Sequence, residues 1–379
     1  MKWKKRSVKR RAKLPLWLKV ILSVLTGILV IVLGITFYVE FLYSRMHYET
    51  EADVVKKEEI FEIEEGENTS GLDVLNPEDV AWGDKDMLRK EENVINILIA
   101  GEEGIFDDRG RTDAILIGTL NLDTKSIKLT SLMRDTYVQI PGYSDNKLNA
   151  AYHSGGMPLM VETIEHNFDL KIDGYVLVDF DAFEYIIDRI GGVTIKLSQT
   201  EADYLNTTNY ISEEYNRNVY AGNITLNGNQ ALGYARVRHV PNGNQSGDFG
   251  RTQRHRILLN AVYKKMMTRS LTDILNLLPE MLGMVTTNLT KAQCIEYATA
   301  LINMGSLELE TLRLPVEGAY KITSIRGMSV VLPVTMRKNV IALHDFIFEE
   351  DTLGEIQLWK MEKQNKPKQL QNTAVLTAY

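Results

Sequence analysis

Twenty consecutive residues, Val20 to Val39 (VILSVLTGILVIVLGITFYV), hold no ionisable side chain except Tyr38 at the far edge. As a helix, such a run crosses roughly 30 Å of hydrocarbon, which is enough to span a bilayer. Trp17 and Lys19 precede it, and Tyr38 and Tyr43 lie at its other end. Aromatic rings and long cations favour those interfacial positions. The first thirteen residues carry eight cations and no acid, whereas Glu40, Glu49, Glu51 and Asp53 follow the run. The positive-inside rule then predicts a cytoplasmic N-terminus and an external body. A cleaved signal peptide is the rival. The run is longer than a usual signal-peptide core, and EFLYSRMHYE after it offers no small-residue cleavage site. An uncleaved signal anchor is expected.

The formal net charge of −7 hides an asymmetry, because the basic start leaves −15 for everything after it. An acidic body excludes nucleic acid as its partner, since phosphate neutralisation needs a basic face. Cys294 is the single cysteine of the 379 residues, so neither an internal disulfide nor a cysteine-based metal site can form.

These features predict five segments: a cytoplasmic basic tail (1–15), a membrane anchor (16–39), an acidic stalk (40–92), one folded domain (93–350) and a polar tail (351–379). The stalk, with stretches such as EEIFEIEEGENTS, cannot bury enough surface to fold alone. In the folded domain VINILIAG, AILIGTLNL and SIKLTSLMR read as strands, the last two joined by a hairpin-length link. MPLMVETIEHNF follows with helical spacing. GYVLVDF and VTIKL are strands on either side of the helix DAFEYIIDRI, which is expected to be capped by Asp181. Residues 200–224 look like a polar loop. The rest is mostly helical, with one strand at ELETLRLPV and a last helix expected from about Pro333 to Glu349. The fold class predicted is α/β, with a mixed central sheet covered by helices on both faces.

Three segments bring charge to the ends of apolar elements. GEEGIFDDRGRTDAIL sets Glu103, Arg111 and Asp113 between two strands, and carboxylates there suit a hard cation such as Mg²⁺. SLMRDTYVQIPGYSDNKLNAAYHSGG ends a buried strand on Arg134-Asp135 and carries Lys147. An Arg-Asp dipeptide alone is most often a local ion pair. ALGYARVRHVPNGNQSGDFGRTQRHR clusters Arg236, Arg238 and His239 and then starts a helix, with Asp248 expected at its N-cap. Asp248, Arg251 and His255 fall on one helical stripe that continues as Leu258, Leu259 and Val262. A solvated acidic loop and a solvated first turn are the bland alternatives. Taken together, five arginines with a few carboxylates suit a pyrophosphate and one Mg²⁺. No Walker A loop, dinucleotide fingerprint, HExxH or GxSxG motif is present.

The segments resemble the LytR-CpsA-Psr family of extracytoplasmic cell-wall enzymes. NILIAG…GRTDAILIGTLN, RDTYVQIPGYSDNKLNAAYHSGG, GYVLVDFDAFEYIIDRIGGVTI and QALGYARVRH…GDFGRTQR stand in the family's order. The resemblance covers roughly Asn93 to Lys265 and continues more loosely to about residue 350. It implies a phosphotransferase that moves a glycopolymer (teichoic acid, capsule or a related polysaccharide) from a polyprenyl-pyrophosphate carrier to peptidoglycan. The head group would lie among Arg111, Arg134, Lys147, Arg236, Arg238 and Arg251, with the prenyl tail in an apolar tunnel. Asp113 matches the Mg²⁺-binding carboxylate (Mn²⁺ could substitute), and Asp113, Arg134, Arg236 and Arg238 are the expected catalytic set. Asp248 matches a second acidic position whose role stays open. Two positions depart from the pattern. Glu102-Glu103 stands where an Asp is usual, so Glu103 would be the second metal ligand. His255 replaces a Gln and is expected at the head group. A non-catalytic lipid-binding regulator and a pyrophosphatase remain alternatives.

Overall fold

The computed structural model describes residues 16–61, 63, 69–82, 87–102, 109, 110, 112–305 and 308–350. Glu103 and Arg111 lie outside the described residues, as do the basic tail (1–15) and the segment 351–379.

The apolar run belongs to helix α1 (Leu16–Tyr43), and Ile28 to Val32, Leu33, Ile35 and Phe37 are all exposed along it. A helix of this length extends about 42 Å. Thr26–Tyr43 is long and apolar enough to cross a membrane.

Seven strands form the central sheet: β1 (His47–Tyr48), β2 (Val94–Glu102), β3 (Thr112–Asn121), β4 (Ser126–Leu132), β5 (Gly174–Asp179), β6 (Val285–Thr287) and β7 (Leu309–Leu314). Their order is β1-β6-β5-β2-β3-β4-β7. The pairs β2·β3, β3·β4 and β5·β6 are antiparallel, and β1·β6, β2·β5 and β4·β7 are parallel. The mixed sheet expected from sequence is present. Local chemistry sets the β3–β4 hairpin. The Asn121 side chain accepts from the backbone N–H of Asp123 and Thr124, and Lys125 takes a left-handed φ of 55°.

Helices α2 (Leu148–Phe168) and α9 (Met336–Phe348) cover one face, burying Leu98, Ile115, Ile117 and Leu132 against Met157, Met160, Ile164, Leu343 and Ile347. The other face meets α3 (Phe180–Arg189), α5 (Gly228–Arg236) and α6 (Gly247–Met267). A second core lies beyond them, where the hairpin of Val193–Leu197 with Gly222–Leu226 packs with α4 (Gln199–Thr207). The N-terminus of α5 comes so near α3 that a Cβ on Gly228 would collide with the Glu184 carbonyl. Helices α7 (Leu271–Leu282) and α8 (Lys291–Met304) lie toward α1, where Lys291 pairs with Glu40.

Several expectations need correction. Residues 200–224 are not all loop. Ser198 and Glu201 form a reciprocal capping box that starts α4, and Gly222–Leu226 is a strand. Asp179, not Asp181, caps α3 by accepting from Ala182 N–H. Ser246, not Asp248, precedes α6, which leaves the Asp248 carboxylate for other partners. Pro333 ends a strand (Met328–Pro333), and α9 starts three residues later behind a Thr335 cap. That strand and its partner Tyr320–Ile325 form a hairpin that the sequence patterns did not separate. The 40–92 stretch docks on the body at several points. His47–Tyr48 joins the sheet edge, Val74–Leu75 pairs with Ser324–Ile325, and Trp82 stacks on Tyr137.

Candidate active site

The chemistry gathers where β2, β4 and β5 end and β3 and α6 begin. A register shift between β2 and β3 sets Glu102 against Thr112 while Gly101 still faces Ala114. Asp113 is therefore the extra residue of a bulge, a device that re-aims a side chain at a sheet rim. Its Oδ1 accepts from Arg134 Nη1 at 2.7 Å and lies 3.2 Å from Arg251 Nη1 and 3.9 Å from Arg238 Nη2. The same three arginines reach Asp248. Arg251 Nη2 is 3.0 Å away, Arg134 Nε 3.2 Å and Arg238 Nε 3.4 Å. Two carboxylates and three guanidiniums thus form one lattice, drawn from β3, the end of β4, the loop after α5, and the first turn of α6.

Asp135 completes it. This residue, which the sequence suggested was a local partner of Arg134, is 3.7 Å from Arg134 Nε but 3.4 Å from Lys147 Nζ. Lys147 is itself almost fully buried at the start of α2. Burial, and then the hydrogen bond shared with Asp248, push the Asp135 carboxyl up to about 7. Burial also acts on Asp248 and Asp113, but the charges of Arg251 and its neighbours overcome it and hold both below the usual carboxylate range. Four basic side chains, Arg134, Arg238, Arg251 and Lys147, thus stand against the three carboxyls of Asp113, Asp135 and Asp248. Net positive charge remains for an anion.

Directly beneath lies an apolar cavity of about 200 Å³. Ile99, Leu116 and Val178 of the sheet, Phe183 and Ile186 of α3, and Leu258 and Val262 of α6 line it, with Asp113, Arg236 and Arg251 at the polar end. The predicted α6 stripe therefore faces the pocket from Arg251 through Val262. The Arg236 guanidinium lies 5.1 Å from the Phe180 ring centroid. His255 is a wall residue. Its Nε2 is 3.1 Å from the Ala235 carbonyl, which can only accept, so the ring proton sits on Nε2. Burial, then the Arg251 charge, push this imidazole down to about 4, leaving it neutral with no proton on Nδ1 to offer a phosphate. Glu102 is already engaged, accepting from Tyr152 Oη at 2.5 Å.

Arg254, next to His255, has a different task. Fully buried, it donates to Glu201 at 2.8 Å and to the carbonyls of Val237 and Val240 at 3.1 and 2.8 Å. It thereby fixes the loop that presents Arg238.

A mixed sheet carrying a net-positive arginine–carboxylate lattice over a greasy cavity defines a class of protein shaped for an amphiphile with an anionic head. The chain belongs to the LytR-CpsA-Psr family, whose pattern it matches over residues 44–339. It is similar to the Regulatory protein MsrR of Staphylococcus aureus, with 29% identity over 69% of this chain and 76% of that one. Against the Polyisoprenyl-teichoic acid–peptidoglycan teichoic acid transferase TagU of Bacillus cereus, identity is 33% over 57% of this chain and 68% of the relative. The crystal structure of TagV from B. subtilis superposes with a TM-score of 0.52 at 27% identity, covering 69% of this chain and 98% of that one.

Proposed function

We propose that this protein is a membrane-anchored transferase that moves a glycopolymer from a polyprenyl-pyrophosphate carrier to peptidoglycan outside the membrane. The observation that carries it is the junction of lattice and cavity, since Asp113 and Arg251 belong to both. The transferase name of the B. cereus relative supports the same reaction. Helix α1 is the anchor, with its basic start in the cytoplasm.

In this proposal the prenyl chain enters the cavity, and Arg134, Arg236, Arg238, Arg251 and Arg111 seat the pyrophosphate. Forked guanidinium contacts fit phosphate oxygens and strengthen as charge builds at phosphorus. As the phosphate takes over these forks, Asp113 loses cationic partners and its basicity rises. A sugar hydroxyl of peptidoglycan, with the muramic acid C6 oxygen as the proposed nucleophile, attacks the glycan-linked phosphorus. The bond from that phosphorus to the oxygen of polyprenyl phosphate breaks, and polyprenyl phosphate leaves. Asp113 accepts the hydroxyl proton. Lys147 and Asp135 hold Asp248, which orients the arginines.

Mg²⁺, or Mn²⁺ in its place, is the proposed cofactor, held by Asp113 and Glu103. Among the described residues no group of three or more His, Cys, Asp or Glu side chains is placed to hold a metal. A part-exposed Asp113 nevertheless fits Mg²⁺, which takes one or two carboxylates and fills its remaining positions with water and phosphate oxygens. When bound, the cation would spread the charge that develops at phosphorus.

Asp113→Ala tests these roles in a reconstituted transfer assay with Mg²⁺. Loss of glycan transfer is expected in assays run below the variant's own unfolding temperature, since the change also leaves Arg134 and Arg251 buried with one anion fewer. Full activity of the variant, or transfer unaffected by chelation of divalent ions, would remove Asp113 and the metal from the reaction.

A further inference from the structure

The face of α6 turned away from the cavity carries its own unmatched chemistry. Phe249, Gln253, Arg256 and Asn260 follow one another at helical spacing on that face. Arg256 Nη1, Gln253 Oε1 and Asn260 Oδ1 are buried there without hydrogen-bond partners. Opposite stands Arg313 of β7, whose register partner Ser131 also has a buried, unpartnered hydroxyl. Arg313 lies over the rings of Phe249 and Tyr320, at 4.6 and 5.5 Å from their centroids. It pairs with Glu317, 3.2 Å away and 81% exposed. Burial, and then the charge of Arg313, push the Arg256 guanidinium down to about 10. Two neighbouring guanidiniums thus lie together, with the exposed Glu317 beside Arg313 and a buried, unpartnered Nη1 on Arg256, an arrangement that an added oxyanion would relieve.

Two features connect this spot to its surroundings. Arg313 Nη1 is 3.8 Å from Met133 Sδ, and Met133 precedes Arg134 of the lattice. One turn beyond Arg256, Asn260 lines a surface groove of about 380 Å³ that also takes in Lys196, Lys264 and Lys265. A cationic track therefore starts beside the lattice and runs along α6 on the side opposite to the lipid cavity.

We propose that this track binds the glycan end of the donor, with Arg256 and Arg313 holding the first anionic group after the pyrophosphate and Lys196, Lys264 and Lys265 following the chain. The ligand class is a polyanionic glycopolymer whose charges are phosphates or carboxylates. The proposal rests on the transferase reading given above, because only a donor bound at the lattice would have its lipid and glycan leave on opposite sides of α6.

The test uses the full-length protein in phosphatidylcholine nanodiscs with three separate probes: octaprenyl pyrophosphate, oligo(glycerol phosphate) and oligogalacturonate. Wild type should bind the lipid and at least one oligomer, and the preferred oligomer tells phosphate from carboxylate as the source of charge. Arg256→Gln should weaken the preferred oligomer tenfold to more than a hundredfold, and the double variant Lys196→Gln/Lys264→Gln should weaken it several-fold. Both should leave octaprenyl pyrophosphate affinity within about twofold, a small fraction of the tenfold that 1.4 kcal/mol represents. Should Arg256→Gln not fold, the surface lysine variant decides alone. Oligomer binding that is absent from wild type or unchanged in the variants overturns the track. So does equal loss of lipid and oligomer, or an effect seen only as weaker attachment to phosphatidylglycerol vesicles. Failure of wild type to bind octaprenyl pyrophosphate would instead strike the proposed function itself.

Discussion

Arg134→Ala is expected to lower the affinity for octaprenyl pyrophosphate tenfold to more than a hundredfold, as read by isothermal titration on the full-length protein. Arg134 touches both Asp113 and Asp248 and is almost fully buried. A charge-assisted bond of this kind contributes about 1.5–3 kcal/mol. Arg134→Lys should also bind poorly, because an ammonium cannot span two carboxylates and still offer a fork to phosphate. Combined with Arg251→Ala, the loss should fall short of the sum, since the two guanidiniums share Asp113 Oδ1. Affinity equal to wild type in both single variants would mean that the lattice is structural. Both variants should be compared below their own unfolding temperatures, because each leaves a buried carboxylate with one cation fewer.

The second large effect concerns stability. Glu201→Ala is expected to destabilise the protein by about 3–5 kcal/mol, since it leaves the Arg254 guanidinium buried and short of its anion. Arg254 is fully buried and Glu201 nearly so. Burial alone would raise the Glu201 carboxyl, but hydrogen bonds from Ser198 and Arg254 outweigh it and hold the group below its ordinary range. A depressed folded value means that the stabilisation is complete above the unfolded carboxylate pKa and fades as pH falls through the folded one. Thermal unfolding of wild type should therefore lose more between neutral and acidic pH than that of the variant. A Glu201→Ala protein that melts within two degrees of wild type would show the pair to be dispensable. The same variant should also weaken pyrophosphate binding, because Arg254 anchors the carbonyls of Val237 and Val240 on either side of Arg238.

Much of this was legible in the residues themselves. The unbroken apolar run of β2, the hairpin between β3 and β4, and the helical stripe from Arg251 to Val262 are local patterns, and local patterns survive into the fold. The convergence of Arg134, Arg238 and Arg251 needed the family's motifs as well, since sequence spacing alone cannot say that β4, the α5–α6 loop and α6 meet. What escaped depended on long-range partners. Asp135 read as a local ion pair with Arg134 because nothing near it in sequence reveals burial beside Lys147 and Asp248. Glu201 lies in a polar stretch that looked like loop, and its burial follows from Arg254, 53 residues away. The misplaced caps at Asp181 and Asp248 share one cause. An aspartate near a helix start satisfies the capping pattern whether or not its carboxylate is needed elsewhere, and Asp248 is bound to the arginine lattice.

Whether a wall hydroxyl or water attacks the glycan-linked phosphorus separates a transferase from a pyrophosphatase. A purified glycan-pyrophosphoryl-polyprenol donor and peptidoglycan oligomers, incubated with the full-length protein in ¹⁸O-enriched water and analysed by mass spectrometry, test it directly. Attack by the wall hydroxyl yields a glycan–peptidoglycan phosphodiester and free polyprenyl phosphate, neither carrying ¹⁸O, and this is the expected result. A released glycan phosphate bearing one ¹⁸O atom would make the protein a pyrophosphatase. Donor bound but unchanged would make it a lipid-binding regulator, and either result would rule out transfer to the wall.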